Sequence, residues 1–257
     1  MVEVPLNRPG LAFNAGARRF SAQLPSRPHG TLTSLLPLPT MQPPPPITRA
    51  LLIACTVLLF AAQIPALTML MVQWLALRPV LSGFMPWQLL TFSFVHVSVL
   101  GWLFNMMLIY YFGSELERIW GDRRFIQFVL ASALAGAVVY LGLSLIPTLL
   151  GTMMPTTPMF DSSAIGMGLL VATGMLFPFR TIRLFFVLEV TQRIAVWIFL
   201  GIIVFLTLGE FSNGSGAWAR GLGQLGGALG GYLMILYWRW RPPSFKRKKP
   251  SHIRRVH

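Results

Sequence analysis

A serine hydroxyl attacks a carbonyl only when a base takes its proton and hydrogen-bond donors receive the developing oxyanion. Few side chains in this 257-residue sequence suit either task. Of four histidines, His29, His252 and His257 lie near the two ends, and only His96 adjoins the long apolar runs. Asp161-Ser162-Ser163 opens an apolar run that reaches Phe177. All three are good helix N-caps, because a side-chain oxygen there accepts from a free backbone N–H, so capping is the ordinary reading of both serines. The single cysteine, Cys55, lies inside an apolar run and allows no intramolecular disulfide. No metal-ligand or cofactor motif is expected.

The elements that would hold these residues are set by composition. Hydrophobic residues make up 54% of the chain, charged residues only 11%, and mean hydropathy is +0.64. A soluble domain carries roughly 25% charged residues. Several apolar segments approach the length of about 18 residues that a membrane span needs. Six spans are predicted, over residues 50–70, 97–112, 125–145, 163–177, 195–208 and 222–238. The stretch 71–95 is apolar but broken by Arg78, Pro79, Gly83 and Pro86, and it reads as a loop in the membrane interface, a depth that suits Trp74 and Trp87. The segment containing Glu189, Gln192 and Arg193 reads as interfacial and amphipathic.

Charge orients the bundle. With the N-terminus in the cytoplasm, 19 of the 21 Lys and Arg residues fall on that side, and only Arg78 and Arg220 fall outside. Such asymmetry is the positive-inside signature, and an odd number of spans would break it. Both termini are therefore expected in the cytoplasm. The net charge of +14 belongs to this pattern and not to nucleic-acid binding. The tail after residue 240, with Lys246-Arg247-Lys248-Lys249, is expected to contact anionic lipid headgroups. Residues 1–48, rich in proline and arginine and ending in Pro43-Pro44-Pro45-Pro46, read as a disordered cytoplasmic tail with a stiff spacer. A proline-motif ligand and a cleaved transit peptide are the alternatives; no apolar segment makes it a secretory signal.

Four motifs then carry a resemblance. Trp87-Gln88-Leu89-Leu90-Thr91-Phe92-Ser93-Phe94-Val95-His96, followed by Asn105, resembles the first-loop and second-helix signature of the rhomboid intramembrane proteases. Gly113-Ser114-Glu115-Leu116-Glu117-Arg118-Ile119-Trp120-Gly121 resembles that family's G-x-x-L-E-x-x-x-G turn. Ser163-Ala164-Ile165-Gly166-Met167-Gly168-Leu169-Leu170 resembles its nucleophile helix, and Gln224-Leu225-Gly226-Gly227-Ala228-Leu229-Gly230-Gly231 its last helix. The resemblance covers about residues 50 to 240. It implies an all-α, rhomboid-like bundle of six transmembrane helices with an interfacial first loop, expected in a bacterial-type plasma membrane.

The resemblance also implies roles. In that family a serine and a histidine on neighbouring helices form the catalytic dyad. Ser163 matches the nucleophile, Asn105 an oxyanion donor, and Gln224 replaces the base histidine. A glutamine amide has no usable pKa and takes no proton from serine. Arg220 is near in sequence but stays protonated. The family's second histidine, four residues before the asparagine, is Gly101 here, and the glycines flanking the nucleophile are Asp161 and Ala164. A register with Ser162 as nucleophile spoils the Gly168-Leu169-Leu170 match. His96 matches an earlier histidine that reads as structural, and Glu117, Gly121 and Gly227 match fold motifs. Gly223, Gly227 and Gly231, four apart, suit close helix packing. The expected function is a catalytically inactive rhomboid-like protein binding the transmembrane helices of clients. The alternative is a divergent, active serine endopeptidase using Ser163. A transporter is disfavoured, because no span carries a charge near its middle.

Overall fold

A computed structural model describes residues 43–149, 157–184, 188–213 and 216–240. The polyproline run does not stop short of the first helix. It enters it, and α1 spans Pro46–Ala61 with proline in its first turn. Proline suits that place because its missing N–H would be unpaired there anyway. The predicted boundary at residue 48 falls within the first turn of α1. The 1–42 tail, the basic cluster at 246–249 and part of the 148–161 connection, including Thr156, lie outside the described residues.

The predicted span over residues 50–70 is cut in two. Pro65 forces its predecessor out of the helical region, and Ile64 is extended at φ −93° and ψ 116°. The chain restarts as α2, Pro65–Trp74. The first loop holds short turns, among them α3 at Gln88–Thr91, and a left-handed Gly83 at φ +97°. A helix then runs from Val99 to Trp120 at 101° to the Gln88–Phe94 segment. It comprises α4 (Val99–Leu108), a π turn (Ile109–Gly113) and α5 (Ser114–Trp120). It ends at Gly121, whose φ of +76° is a conformation that disfavours any side chain.

The remaining long helices are α6 (Asp122–Leu149), α7 (Ser163–Leu176), α8 (Gln192–Ser212) and α9 (Trp218–Trp240). The chain is not purely α-helical. The segment read as interfacial forms an antiparallel hairpin, β1 (Thr181–Leu184) with β2 (Leu188–Thr191), pairing Ile182 with Val190. Pro178 ends the preceding helix, and the β-branched Thr181, Ile182, Val190 and Thr191 favour the extended form.

α7 is the centre of the bundle, with every residue from Ala164 to Thr173 buried. Glycines set how closely its neighbours approach. A Cβ added at Gly227 of α9 would sit 2.6 Å from Ala164 Cα, and one at Gly231 would sit 2.8 Å from Gly168 Cα. Gly226 and Gly230 face the other way, onto Val139 and Ala135 of α6. Backbones this close are what small residues permit between membrane helices, where dispersion and not water drives packing. By length and composition α6 and α8 are able to cross a membrane, and the bent Gln88–Trp120 pair makes a third. α1 and α7, at 16 and 14 residues, are apolar but shorter than a full span.

Candidate functional site

The site lies where the first loop meets the start of α7. Two segments are stapled there by backbone. Leu77 and Met159 exchange N–H···O bonds of 2.8 Å each, and Asp161 N donates to Phe92 O at 3.1 Å. His96 adds the side-chain staple. Its Nδ1 lies 3.1 Å from Phe94 O, and its Nε2 lies 3.2 Å from Ser162 Oγ. A carbonyl only accepts, so Nδ1 carries the proton and Nε2 is left to accept from Ser162. The backbone N–H of Ser162 also points at Nε2, at 3.5 Å. His96 therefore bonds within the first loop and also reaches across to α7, a contact the sequence did not reveal.

Asp161 holds the turn. Its φ is +86°, the left-handed region that glycine enters freely and other residues at a cost. Asp161 thus adopts a backbone conformation that glycine favours. It also does the capping: Asp161 Oδ1 accepts from Ser163 N at 2.8 Å, whereas the hydroxyl of Ser162, the formal cap residue, makes no capping bond. Burial raises the pKa of the Asp161 carboxyl, opposed by its contacts with Ser163 and by the charge of Arg220. Arg220 stands over the ring of Phe160 at 5.6 Å and 3.9 Å from Glu210.

Ser163, the matched nucleophile, opens α7 with its hydroxyl buried beside the Asp161 carboxylate but in no aligned hydrogen bond. Gln224 is half-buried on α9. Because Gly227 touches Ala164, Ser163 and Gln224 lie at the same end of the α7–α9 contact. Asn105, buried on α4, directs its side-chain oxygen toward Gly166, one turn along α7 from Ser163, without a hydrogen bond to α7. A Cβ at Gly101 would find ordinary contact, 3.6 Å from Ser98 Cβ. Ser163 and Asn105 thus flank the first turns of α7, and Gln224 lies on the stretch of α9 that packs at that end. The serine–histidine pair among the described residues is Ser162 with His96. Both members are sealed, at 1% and 2% exposure, which leaves no room for a carbonyl to approach.

Glu117 and Gly121 belong to the opposite end. Glu117 is 1% exposed, and its carboxylate caps α1: Oε1 accepts from Ile47 N at 2.8 Å, and Oε2 from Thr48 N and Thr48 Oγ1, both at 2.7 Å. Arg118 Nη2 donates to Pro43 O at 2.9 Å, and Arg180 pairs with Glu115. Thr48 was the missed partner; a threonine in the first turn after a proline run was its only signal.

A family model described as eukaryotic integral membrane protein (DUF1751) matches residues 47–238, from the second residue of α1 to near the end of α9. The chain belongs to this family. Its members are integral membrane proteins, in keeping with the apolar helices here, and its eukaryotic description gives no support to the bacterial-type membrane expected from sequence. The matched region of this DUF1751 member holds the candidate site residues, from His96 to Gln224, and the Glu117–Thr48 cap. No curated protein matches the chain.

Proposed function

We propose that the chain is a rhomboid-like membrane protein without proteolytic activity, which binds the transmembrane helices of client proteins. The observation that carries this reading is Ser163: its hydroxyl is buried beside the Asp161 carboxylate with no histidine against it, and the matched base position holds Gln224. A dyad deprived of its base loses several orders of magnitude in rate, roughly 10⁴ to 10⁶. The intact packing of α7 against α9 supports a retained fold with a binding role. α8 is the least enclosed long helix, burying only Gln192, Ala195, Phe199 and Thr207, and a client approaching laterally has access beside it.

In this reading the bundle has six spans, both termini are cytoplasmic, and the tail at 246–249 meets anionic headgroups. Supporting the orientation, the bonds Arg118–Pro43 and Arg180–Glu115 gather arginine-bearing connections at one end, away from Arg220 and His96. The rival reading, an active endopeptidase using Ser163, has one observation near it, the 3.2 Å Ser162–His96 pair, but that pair is closed to substrate.

Client binding is tested with a synthetic helix of about 20 apolar residues carrying a mid-span photo-crosslinker, mixed with the full chain in nanodiscs. Adducts on α8, equal in wild type and Ser163→Ala, are expected. Absence of adducts, or cleavage of the helix, overturns the reading.

A further inference from the structure

A groove of about 430 Å³ lies between α1 and the first loop, lined by Ala54, Val57, Leu58, Leu75, Thr91 and Phe94. We infer that it holds one acyl chain of a bilayer phospholipid.

Its surroundings decide the solvent it meets. The neighbouring α1 side chains Ile53, Val57 and Phe60 are exposed and apolar, so in an integral membrane protein this face meets lipid. No polar atom is exposed on the walls. The one hydroxyl, that of Thr91, is turned away to donate to Leu75 O at 2.8 Å. Water needs two to four polar partners to stay in a cavity and finds none. A sterol hydroxyl would likewise have no acceptor on the walls.

Size excludes a client helix. A helix with side chains is about 10–12 Å across and 5.4 Å per turn, so a single turn fills roughly 400–600 Å³, and a span has five or six turns. A flexible hydrocarbon chain fits instead. Trp74 and Trp87 are exposed beside Leu75, with Trp87 Nε1 donating to Trp74 O at 2.9 Å, and such aromatic pairs sit at headgroup depth. The chain would therefore enter from the headgroup level at that edge.

Occupancy reaches the candidate site through one residue. Phe94 lines the groove with its side chain and fixes the His96 ring with its carbonyl. A chain packed on Phe94 supports the loop that carries His96 to Ser162.

The test uses the full chain in nanodiscs containing a phosphatidylcholine with a diazirine on one acyl chain, and in parallel a diazirine sterol. Adducts of the phospholipid probe are expected to concentrate at residues 54–58 and 91–94, about tenfold above the exposed face of α8. Filling the groove with Ala54→Trp, or independently Leu58→Trp, removes that excess, while Leu206→Trp on α8 leaves it. Gel filtration checks folding of each variant, and the wild-type comparison between groove and α8 stands without them. Even labelling over all lipid-facing helices, preferential labelling by the sterol, or an excess that survives both tryptophans in folded protein would overturn the assignment.

Discussion

His96 Nε2 lies 3.2 Å from the hydroxyl of Ser162, while the hydroxyl of the next residue, Ser163, is buried beside the Asp161 carboxylate in no aligned hydrogen bond and touches no histidine. One residue of register thus separates a satisfied structural serine from an idle one. His96→Leu should cost about 1–3 kcal/mol for each buried group it leaves unpaired, namely the Ser162 hydroxyl and the Phe94 carbonyl. Ser162→Ala leaves only one buried group, His96 Nε2, without its partner and should cost about 1–3 kcal/mol in all. Unfolding in detergent checks both, and a Ser162→Ala penalty above that of His96→Leu would show that the pair is not what fastens the loop.

The carboxylate of Glu117 caps α1 from across the bundle. Charge-assisted bonds are about twice as strong as neutral ones, and each buried donor left without its acceptor costs about 1–3 kcal/mol. Glu117→Ala leaves Ile47 N, Thr48 N and Thr48 Oγ1 without their acceptor. A large loss of stability with early exposure of α1 to protease is expected. Wild-type protease resistance would count against the cap.

Glycines in this bundle are not equivalent. Gly227→Val drives a branched side chain into the backbone of Ala164 and should cost at least about 1–3 kcal/mol through overpacking. At Gly201 of α8 an added Cβ meets nothing within 4 Å. Gly201→Ala should therefore gain about 0.5–1 kcal/mol in helix propensity. Equal responses at the two positions would contradict the packing described for α9.

Orientation is open to labelling. Asn213, exposed after α8, belongs to the side expected to face away from the cytoplasm, and Phe179, 84% exposed after α7, to the cytoplasmic side. In a Cys55→Ser background, an impermeant maleimide applied from outside should reach Asn213→Cys and miss Phe179→Cys until the membrane is opened. The reverse pattern would invert the bundle.

The sequence made the long helices legible because apolar length and charge asymmetry are local signals. Residues 163–177 and 125–145 read almost as they stand in α7 and α6. The break at Pro65 and the hairpin at 181–191 were misread, since total hydropathy hid the proline and the β-branched residues. At the site, the position of Ser163 at the head of α7 was readable. The Ser162–His96 bond was not, because it joins residues 66 apart in sequence and depends on the Leu77–Met159 staple. Asp161 illustrates the same limit: its residue type argued against a glycine-like turn, and only the backbone angle reveals one.

The central claim is that Ser163 is not a nucleophile, because Gln224 supplies no base. It is tested by applying a fluorophosphonate probe and a fluorogenic helical substrate to wild type, Ser163→Ala and Ser162→Ala. The account predicts no labelling and no turnover above background in any of the three. The double variant Gln224→His with Gly101→His, which restores a base and an oxyanion donor, is the positive direction of the same assay. Turnover by wild type that disappears in Ser163→Ala would contradict the account outright, and loss in Ser162→Ala alone would move the nucleophile to the His96 pair.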